Sequence, residues 1–183
     1  MTDWTYCPRG ATELAMMAAQ EDGGTKERLR CPACGFTHWN NPTPVLAAIV
    51  EMADGRVLLA RNAAWPAKMF ALITGFMEAG ETPQAGIARE VKEETNLDVQ
   101  SLDLVGVYDF QRMNQVIIAY HVRATGDVRL SPELVDYRLF ALPELKCWPA
   151  GTGYALADWL RTRGHTPVFF TDEENAERRR GLD

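Results

Sequence analysis

Apolar residues in this chain occur mainly in short runs bounded by turn residues, a pattern typical of β-strands. The longest run covers residues 45–52 and predicts a buried strand, because nearly all of its side chains are apolar. Asp54-Gly55 then predicts a hairpin turn into a strand over residues 56–61. Further strands are predicted over residues 70–74, 102–110, 116–124 and 138–141.

Two segments have the spacing of amphipathic helices. In the first, Thr82 is a suitable N-cap, Pro83 takes the first helical position and Asn96 suits a left-handed C-cap. The second helix is predicted over residues 153–163 and ends in arginines. The predicted buried stripes are Ala85, Ala88, Val91 and Thr95 in the first helix, and Tyr154, Leu156, Ala157 and Leu160 in the second.

The two ends of the chain differ from this central pattern. Short strands are predicted over residues 14–20 and 27–30, around the turn residues Asp22-Gly23-Gly24. The sequence NNPTP at residues 40–44 cannot be helical and indicates a linker. Residues 172–183 are almost all charged and are expected to fray. We therefore expect an N-terminal module over residues 1–40, a main domain over 41–165 and a charged tail over 166–183.

Composition and charge narrow the class of protein. The chain has 183 residues, of which 46% are hydrophobic, enough for one domain with a real core plus a small appendage. A net charge of −6 gives no electrostatic footprint for nucleic-acid binding. No apolar run reaches membrane-spanning length and no signal pattern begins the chain, so we expect a cytoplasmic protein with no membrane contact.

Crowded acids on the first helix are the strongest chemical signal. Glu90, Glu93 and Glu94 lie three and four residues apart and share one face, where each like-charged pair costs a few tenths of a kcal/mol. Carboxylate oxygens are preferred ligands of hard divalent cations such as Mg²⁺, which also bind phosphate oxygens. The spacing therefore predicts a metal site, whereas a merely solvated acidic face would not explain the spacing of Gly75 and Glu81.

This segment resembles the signature of the Nudix hydrolases, Gly-x5-Glu-x7-Arg-Glu-U-x-Glu-Glu-x-Gly-U, where U is a bulky apolar residue. One position departs from it, since Asn96 stands where the family has glycine. Asparagine is the next best left-handed cap, so only the helix end is affected. The residues in register are Gly75, Glu81, Arg89, Glu90, Val91, Glu93, Glu94 and Leu97.

The resemblance implies an α/β fold, the Nudix α/β/α sandwich with a mixed sheet. It also implies hydrolysis of a pyrophosphate bond with Mg²⁺ or Mn²⁺ as cofactor. Glu90 and Glu94 would be the main metal ligands, assisted by Glu93 and by the carbonyl of Gly75. Arg89 would hold Glu81 by a charge-assisted hydrogen bond. Family members place the general base differently, which leaves Glu93, Glu81 and Glu133 as candidates.

The order of N-terminal module, Asn-Pro linker and Nudix domain resembles the branch that includes NADH pyrophosphatases and hydrolases of FAD or ADP-ribose. Residues 107–112 lack the Ser-Gln-Pro-Trp array of the NADH enzymes, whereas residues 131–140 look more like the FAD and ADP-ribose hydrolases. ADP-ribose or FAD is the expected substrate, releasing AMP, with NADH as the alternative. Candidate substrate-binding residues are Arg61, Phe76, Glu78, Tyr108 and Arg112; Trp65, Phe70 and Phe110 could also stack a ring, although aromatic residues more often lie in a core.

Three cysteines have the spacing of metal ligands. Cys31 and Cys34 form a Cys-x-x-Cys knuckle and Cys7 begins a similar one, in which Gly10 occupies the fourth place. Either Zn²⁺ is bound here, with His38 as a possible fourth ligand, or the module is a degenerate zinc ribbon that keeps its shape by packing. Cys147 lies far away and is predicted to be a buried apolar thiol.

Two other functional classes compete with the enzyme. A non-catalytic nucleotide-binding Nudix module is one, although such a module has no need of three crowded glutamates. A nucleic-acid-binding ribbon is the other, suggested by Lys26, Arg28 and Arg30 but opposed by the net acidity of the chain. The expected partners are a small nucleotide substrate and a second copy of the chain, as many relatives of the family are homodimers.

Overall fold

The computed structural model describes residues 4–181 and forms two compact units, which meet in sequence between Pro42 and Thr43. The predicted N-terminal module and tail therefore extend by a few residues beyond the described part of the chain. Among the helices of residues 4–181, none is both long and apolar enough to cross a membrane.

The first unit is a small antiparallel sheet. It contains β1 (Ala15–Glu21), β2 (Gly24–Arg30) and β3 (Thr37–His38) in that order. The predicted hairpin is confirmed, but its second strand begins three residues earlier than expected, at Gly24. Gly24 has a φ of 101°, a conformation that a glycine adopts without strain at the end of the two-residue turn Asp22-Gly23.

The second unit contains a mixed sheet in which the strand order is β7-β8-β4-β5-β9, with β6 also paired to β4. The neighbours β4 and β8 are parallel, and the other pairs are antiparallel. The strands are β4 (Thr43–Met52), β5 (Val57–Asn62), β6 (Ile73–Phe76), β7 (Asp98–Phe110), β8 (Gln115–Thr125) and β9 (Leu134–Phe140), and a separate parallel pair is formed by β10 (Lys146–Cys147) and β11 (Val168–Phe169).

Helices cover both faces of this sheet, which explains the continuous apolar run in β4. Leu46 and Val50 pack in the same core as α1 (Pro83–Thr95), and Val45 and Ile49 face the side of α2 (Thr152–Thr162). Because successive side chains of a strand point to opposite faces, both sets must be apolar. The predicted α/β/α sandwich is confirmed.

The helix α1 has the predicted caps and a different buried stripe. The hydroxyl of Thr82 accepts a hydrogen bond from the Ala85 N–H at 3.2 Å, and Asn96 is left-handed with a φ of 63°. Ala85, however, is exposed and Ala88 only partly buried. The buried positions are Gly86, Ile87, Val91 and Thr95, so the face turned to the sheet is rotated from the predicted one.

A buried acidic group joins the far end of β4 to the end of α2. Glu51 is 6% exposed, and its Oε2 lies 2.7 Å from His121 Nε2 and 3.0 Å from Arg163 Nη1. Burial raises the pKa of Glu51, but the hydrogen bonds from Arg163 and His121 outweigh this effect and hold the pKa below its usual value. This carboxylate therefore joins β4 to His121 and to Arg163 at the end of α2.

The expectation that the charged tail frays is wrong. Residues from Asp172 to Arg179 form α3, which begins with a capping box between Thr171 and Glu174. Glu174 pairs with Lys146 at 2.6 Å, and Glu177 pairs with Lys68. The charges of the tail thus form specific ion pairs with earlier parts of the second unit.

Candidate functional site

Arg89 is the hub of the acidic cluster on α1. Its guanidinium donates two hydrogen bonds to Glu81, at 2.9 and 3.1 Å, so the pairing implied by the resemblance is present. The same group reaches Glu90 at 2.8 Å and Glu93 at 3.0 Å, and the carbonyl of Phe76 at 3.3 Å. One cation therefore fixes the loop that precedes α1 and partly neutralises three carboxylates.

Glu81 is a structural anchor in this arrangement. Besides the two bonds from Arg89, its carboxylate accepts the backbone N–H of Glu78 at 2.7 Å. Hydrogen bonds to the charged form favour ionisation, and those from Arg89 and Glu78 hold the pKa of Glu81 below its usual value. A carboxylate held so firmly in its ionised form is a weak proton acceptor.

Gly75 allows the carboxyl group of Glu90 to lie against the backbone of β6. A Cβ atom at position 75 would lie 1.9 Å from the Glu90 Cδ and about as close to both carboxylate oxygens. Only glycine leaves room for this contact. Burial raises the pKa of Glu90, even though Arg89 opposes the shift.

Glu94 is the one member of the α1 cluster that Arg89 does not reach. Among residues 4–181 its carboxylate has no hydrogen-bonding or cationic partner, although the side chain is partly buried. Burial and the charges of Glu90, Glu133 and Glu93 raise the pKa of Glu94 to about 7 from an ordinary 4.5. The loop that carries Glu133 is attached to α1 by a 3.0 Å hydrogen bond from the Ser131 N–H to the Glu94 carbonyl.

The donor set fits a hard divalent cation. The carboxylates of Glu90 and Glu94 offer oxygen donors of the kind that such a cation prefers, and the negative charge on Glu94 has no cationic partner among residues 4–181. A cation that binds here must compete with the Arg89 Nη1 contact to Glu90. The site thus has two parts. The ion pair between Arg89 and Glu81 fixes the loop against α1, and a bound cation would relieve the repulsion among the neighbouring carboxylates.

The candidate substrate-binding residues lie in different places. Phe76 is 59% exposed at the end of β6, and Glu78 is exposed in the following loop. Arg61 is the next-to-last residue of β5, and its Nη1 lies 3.5 Å from the Trp65 carbonyl. Arg112 is exposed in a single 3₁₀ turn between β7 and β8.

The structure does not bring Tyr108 to the α1 face. The Tyr108 hydroxyl donates a hydrogen bond to Asp158 of α2 at 3.0 Å. Burial and this bond raise the pKa of Tyr108 to about 12. Of the aromatic residues considered for stacking, Phe70 is in the core with α2, whereas Trp65 and Phe110 are partly buried.

The three cysteines of the first unit meet in space. Within the described part of the chain, the sulfurs of Cys7, Cys31 and Cys34 are the one group of three potential metal ligands that lie within 4.8 Å of one another. His38 is not in this group, and its ring stacks on that of Trp4 with the centroids 4.9 Å apart. Cys147 is fully buried elsewhere, as predicted.

Both cysteine turns have the same backbone geometry. The Cys7 N–H bonds to the Thr12 carbonyl at 2.8 Å, and the Cys31 N–H bonds to the Phe36 carbonyl at 2.8 Å. In each turn the residue four positions after the first cysteine is left-handed and donates back to that cysteine. Gly10 therefore corresponds to Cys34, and a Cβ on Gly10 would meet nothing within 4 Å.

Comparison with known proteins gives a consistent result. The family model described as NUDIX domain matches residues 41–160, which agrees with the resemblance stated from the sequence. The NAD-capped RNA hydrolase NudC of Mycobacterium tuberculosis is 29% identical over 131 residues, covering 70% of this chain but only 40% of that protein. The chain thus spans well under half the length of this curated relative.

Two solved structures extend the comparison. The NUDIX hydrolase from Nitrosomonas europaea has a TM-score of 0.73 and 29% identity, over 91% of this chain and 97% of that one. An ADP-ribose pyrophosphatase from Streptococcus suis has a TM-score of 0.56 and 22% identity, over 72% and 100%. At that lower identity the second likeness supports the fold alone.

Proposed function

This chain belongs to the NUDIX domain family, and on that premise we propose that it is a divalent-metal-dependent pyrophosphohydrolase. Its substrate would be a nucleoside diphosphate linked to a second moiety. The main support for this proposal is the negative charge of Glu94, which has no cationic partner among residues 4–181 and lies beside the acids that Arg89 contacts. A module that only bound nucleotides would have no use for that charge, which costs stability in the absence of a cation.

Each acidic residue has its own part in the proposed reaction. Glu90 and Glu94 would hold the cation, with Glu93 and the Gly75 carbonyl assisting. Mg²⁺ or Mn²⁺ at this place would neutralise the diphosphate and lower the pKa of a bound water. Arg89 would act as a positioning residue, because its bonds to Glu81 keep the loop against α1.

We propose Glu133 as the general base rather than Glu81 or Glu93. Glu81 is held by three hydrogen bonds and Glu93 is bonded to Arg89, whereas Glu133 is exposed and close enough to raise the pKa of Glu94.

The Glu133→Gln variant is expected to lower kcat about 10- to 100-fold with little change in KM, because a metal-bound water needs only modest help from a base. Steady-state kinetics would measure this effect, with Glu81→Gln and Glu93→Gln compared in parallel. If kcat falls for Glu93→Gln and not for Glu133→Gln, the base is Glu93.

ADP-ribose and FAD remain the substrates that we propose. Phe76, exposed beside the Arg89 contact, would stack on a ring, and Arg61, Glu78 and Arg112 would contact the remaining parts of the substrate. A second candidate is an NAD-type diphosphate, which the printed name of the 29% identical mycobacterial relative favours.

A substrate panel would separate these possibilities. The protein is incubated with Mg²⁺ and ADP-ribose, FAD, NADH, NAD⁺ or NAD-capped RNA, and the products are identified. AMP with ribose 5-phosphate identifies ADP-ribose, AMP with FMN identifies FAD, and release of nicotinamide mononucleotide identifies an NAD-type substrate. Binding without hydrolysis of any compound would instead support the non-catalytic module.

We propose no nucleic-acid partner for the first unit. Residues 4–42 carry four basic and four acidic side chains, so this unit offers no net positive charge. Arg28, one of the basic residues near the hairpin, is bonded to both carboxylate oxygens of Glu21. Cleavage of NAD-capped RNA in the panel, faster than that of free NAD⁺, would overturn this proposal.

For the first unit we propose a Zn²⁺ site made by Cys7, Cys31 and Cys34, in which Gly10 leaves the fourth protein ligand out. The Gly10→Cys variant is expected to raise the affinity for Zn²⁺ at least tenfold, because it completes a tetrahedral set in a place with room for the side chain. Competition with a chromophoric chelator would measure the affinity, and Gly10→Ser is the matched control. Equal affinities for the three proteins would contradict the proposed fourth position.

We also propose that the chain forms a homodimer. The strand β7 is an edge of the main sheet, and its apolar residues Leu104 and Val107 are 60% and 61% exposed. An edge strand with exposed apolar side chains is a place where a second chain can pair. Light scattering is expected to give twice the 20.5 kDa of one chain, and a monomer at micromolar concentration would contradict the proposal.

A further inference from the structure

A cavity of about 240 Å³ lies on the side of the sheet that α2 covers. Its walls include Leu59 and Phe70, whose side chains belong to the core shared with α2, whereas the acidic cluster is carried by α1 on the other side. Ligand pockets usually enclose about 300–1,000 Å³, so this cavity suits a single ring with a small substituent and excludes a dinucleotide. It is separate from the proposed catalytic site.

The cavity concentrates positive charge in an acidic protein. Four basic side chains line it, and Glu144 is the one acidic residue among its lining residues. Glu144 is already committed, because its carboxylate accepts the Ala141 N–H at 2.9 Å. The basic residues are Lys68, Arg138, Lys146 and Arg178.

Two of these cations have no carboxylate partner among residues 4–181. Arg138 lies 4.4 Å above the ring of Phe70. Arg178 lies 4.1 Å above the ring of Phe170 and donates a hydrogen bond to the Phe70 carbonyl at 2.9 Å. Burial lowers the pKa of Arg178, which shows that its charge is poorly solvated. A poorly solvated cation without a counter-ion gains from an anion nearby.

The two lysines are engaged by the C-terminal helix. Lys146 pairs with Glu174 at 2.6 Å, and Lys68 pairs with Glu177. These carboxylates of α3 stand at the rim, where the anionic group of a ligand would compete with them. The exposed pair between Lys68 and Glu177 is the weaker barrier, since surface ion pairs contribute only about 0–1 kcal/mol.

From this combination we infer that the cavity binds a phosphate monoester attached to an aromatic ring. The phosphate would be held by Arg138 and Arg178, which suit planar and bidentate recognition of such anions. The ring would pack among the aromatic walls of the cavity, which include Phe140 and Trp148. Neither half of this ligand alone would use both the charge and the aromatic surface.

The binding site is tested on the full chain in metal-free buffer, with phenyl phosphate as the minimal probe and AMP as a larger one. Calorimetry is expected to show that phenyl phosphate binds at least tenfold more tightly than inorganic phosphate or phenol. In a nitrogen–proton NMR spectrum, the indole signal of Trp148, which lines the cavity, should shift on titration, and that of Trp65, which does not line it, should not. Signals are assigned with tryptophan-to-phenylalanine variants.

Three variants make the test decisive. Arg138→Gln, at an exposed position, is expected to weaken binding at least fivefold, and Glu177→Gln is expected to tighten it about two- to fivefold by freeing Lys68. Arg129→Gln is the matched control, because Arg129 is exposed beside the end of α1 and does not line the cavity, and it should change nothing. No binding, a shift of Trp65 in place of Trp148, or equal affinity of the wild type and Arg138→Gln would each overturn the inference. None of these outcomes depends on hydrolytic activity.

Discussion

Replacing Glu94 by glutamine is expected to lower turnover by about 10³-fold and, at the same time, to stabilise the metal-free protein near pH 8. The first effect follows because an amide cannot supply the charge that the proposed cation needs, and loss of one electrostatic stabiliser costs about 10²–10³ in rate. The second follows because the Glu94 carboxylate is partly buried beside other acids without a partner.

The sign of the stability effect can be worked out from the pKa of Glu94. Because its folded pKa, about 7, lies above the ordinary 4.5, the folded state binds this proton more tightly than the unfolded state. Stability is therefore lost as the pH rises from about 4.5 to 7, and the loss is complete above that range. Allowing for partial exposure of the side chain, we expect Glu94→Gln to recover ~1–2 kcal/mol at high pH.

Calorimetric melting in the presence of a chelator measures this effect. The variant should melt roughly 2–6 °C higher than the wild type near pH 8, with the difference shrinking towards about pH 5. Added Mg²⁺ should stabilise the wild type and leave the variant unchanged. Glu173→Gln, an exposed acid on α3, is the control. A variant that melts lower than the wild type at high pH would show that Glu94 makes favourable contacts, and the metal-site assignment would then lose its main support.

Replacing Gly75 by alanine is expected to lower activity more than about 100-fold with little effect on folding. The added Cβ would lie 1.9 Å from the Glu90 carboxyl carbon, so the Glu90 side chain must move. Overpacking typically costs about 1–3 kcal/mol, and the low end of that range is expected here because the atoms that clash belong to the end of a flexible side chain. The fold should tolerate the change, whereas a metal ligand displaced by an ångström or more should not function.

The same melting experiment distinguishes these two consequences. Gly75→Ala should melt within a few degrees of the wild type in chelator, yet show no stabilisation by Mg²⁺. Gly23→Ala is a matched control, because a Cβ there would meet only the end of Lys26, at 3.8 Å. If Gly75→Ala retains both activity and its response to Mg²⁺, the contact between Gly75 and Glu90 has no role in the site.

The loop and helix of the acidic site could be predicted from the sequence because their determinants are local. Thr82, Pro83 and Asn96 set the ends of α1 within a single segment, and the structure has those ends. The buried face was harder to predict. Gly86 lies so close to Leu46 and Glu81 that the face turned to the sheet includes this glycine, and a count of apolar residues could not reveal that approach.

The side of the sheet on which Tyr108 lies depends on a register shift in β7, which the alternation of apolar and polar residues in the sequence does not reveal. Leu102 packs on the α1 side of the sheet, and strict alternation along β7 would put Tyr108 on that side too. The register shifts between Leu104 and Gly106, so that Tyr108 packs on the opposite side and bonds to Asp158. One extra residue in a strand reverses every later side chain.

In contrast, the start of α3 could be predicted from the sequence, although the many charged residues of this segment suggest a frayed tail. Thr171 and Glu174 have the spacing of a capping box, which indicates a helix start even in a highly charged segment. What the sequence could not supply was the set of partners, because Lys68 and Lys146 lie more than 25 residues away along the chain. The basic cavity under α3 depends on those same distant contacts.

The core of the first unit consists of very few side chains, and two of its three buried members are cysteines. A segment of about forty residues with so little apolar surface rarely remains folded without a metal or a covalent link. If the proposed Zn²⁺ site holds this unit together, starvation of the cell for zinc should expose the segment to proteases, while the acidic cluster of α1, carried by the other unit, stays in place. The supply of zinc would then determine how long the first unit survives in the cell, without changing the proposed catalytic residues of the second unit.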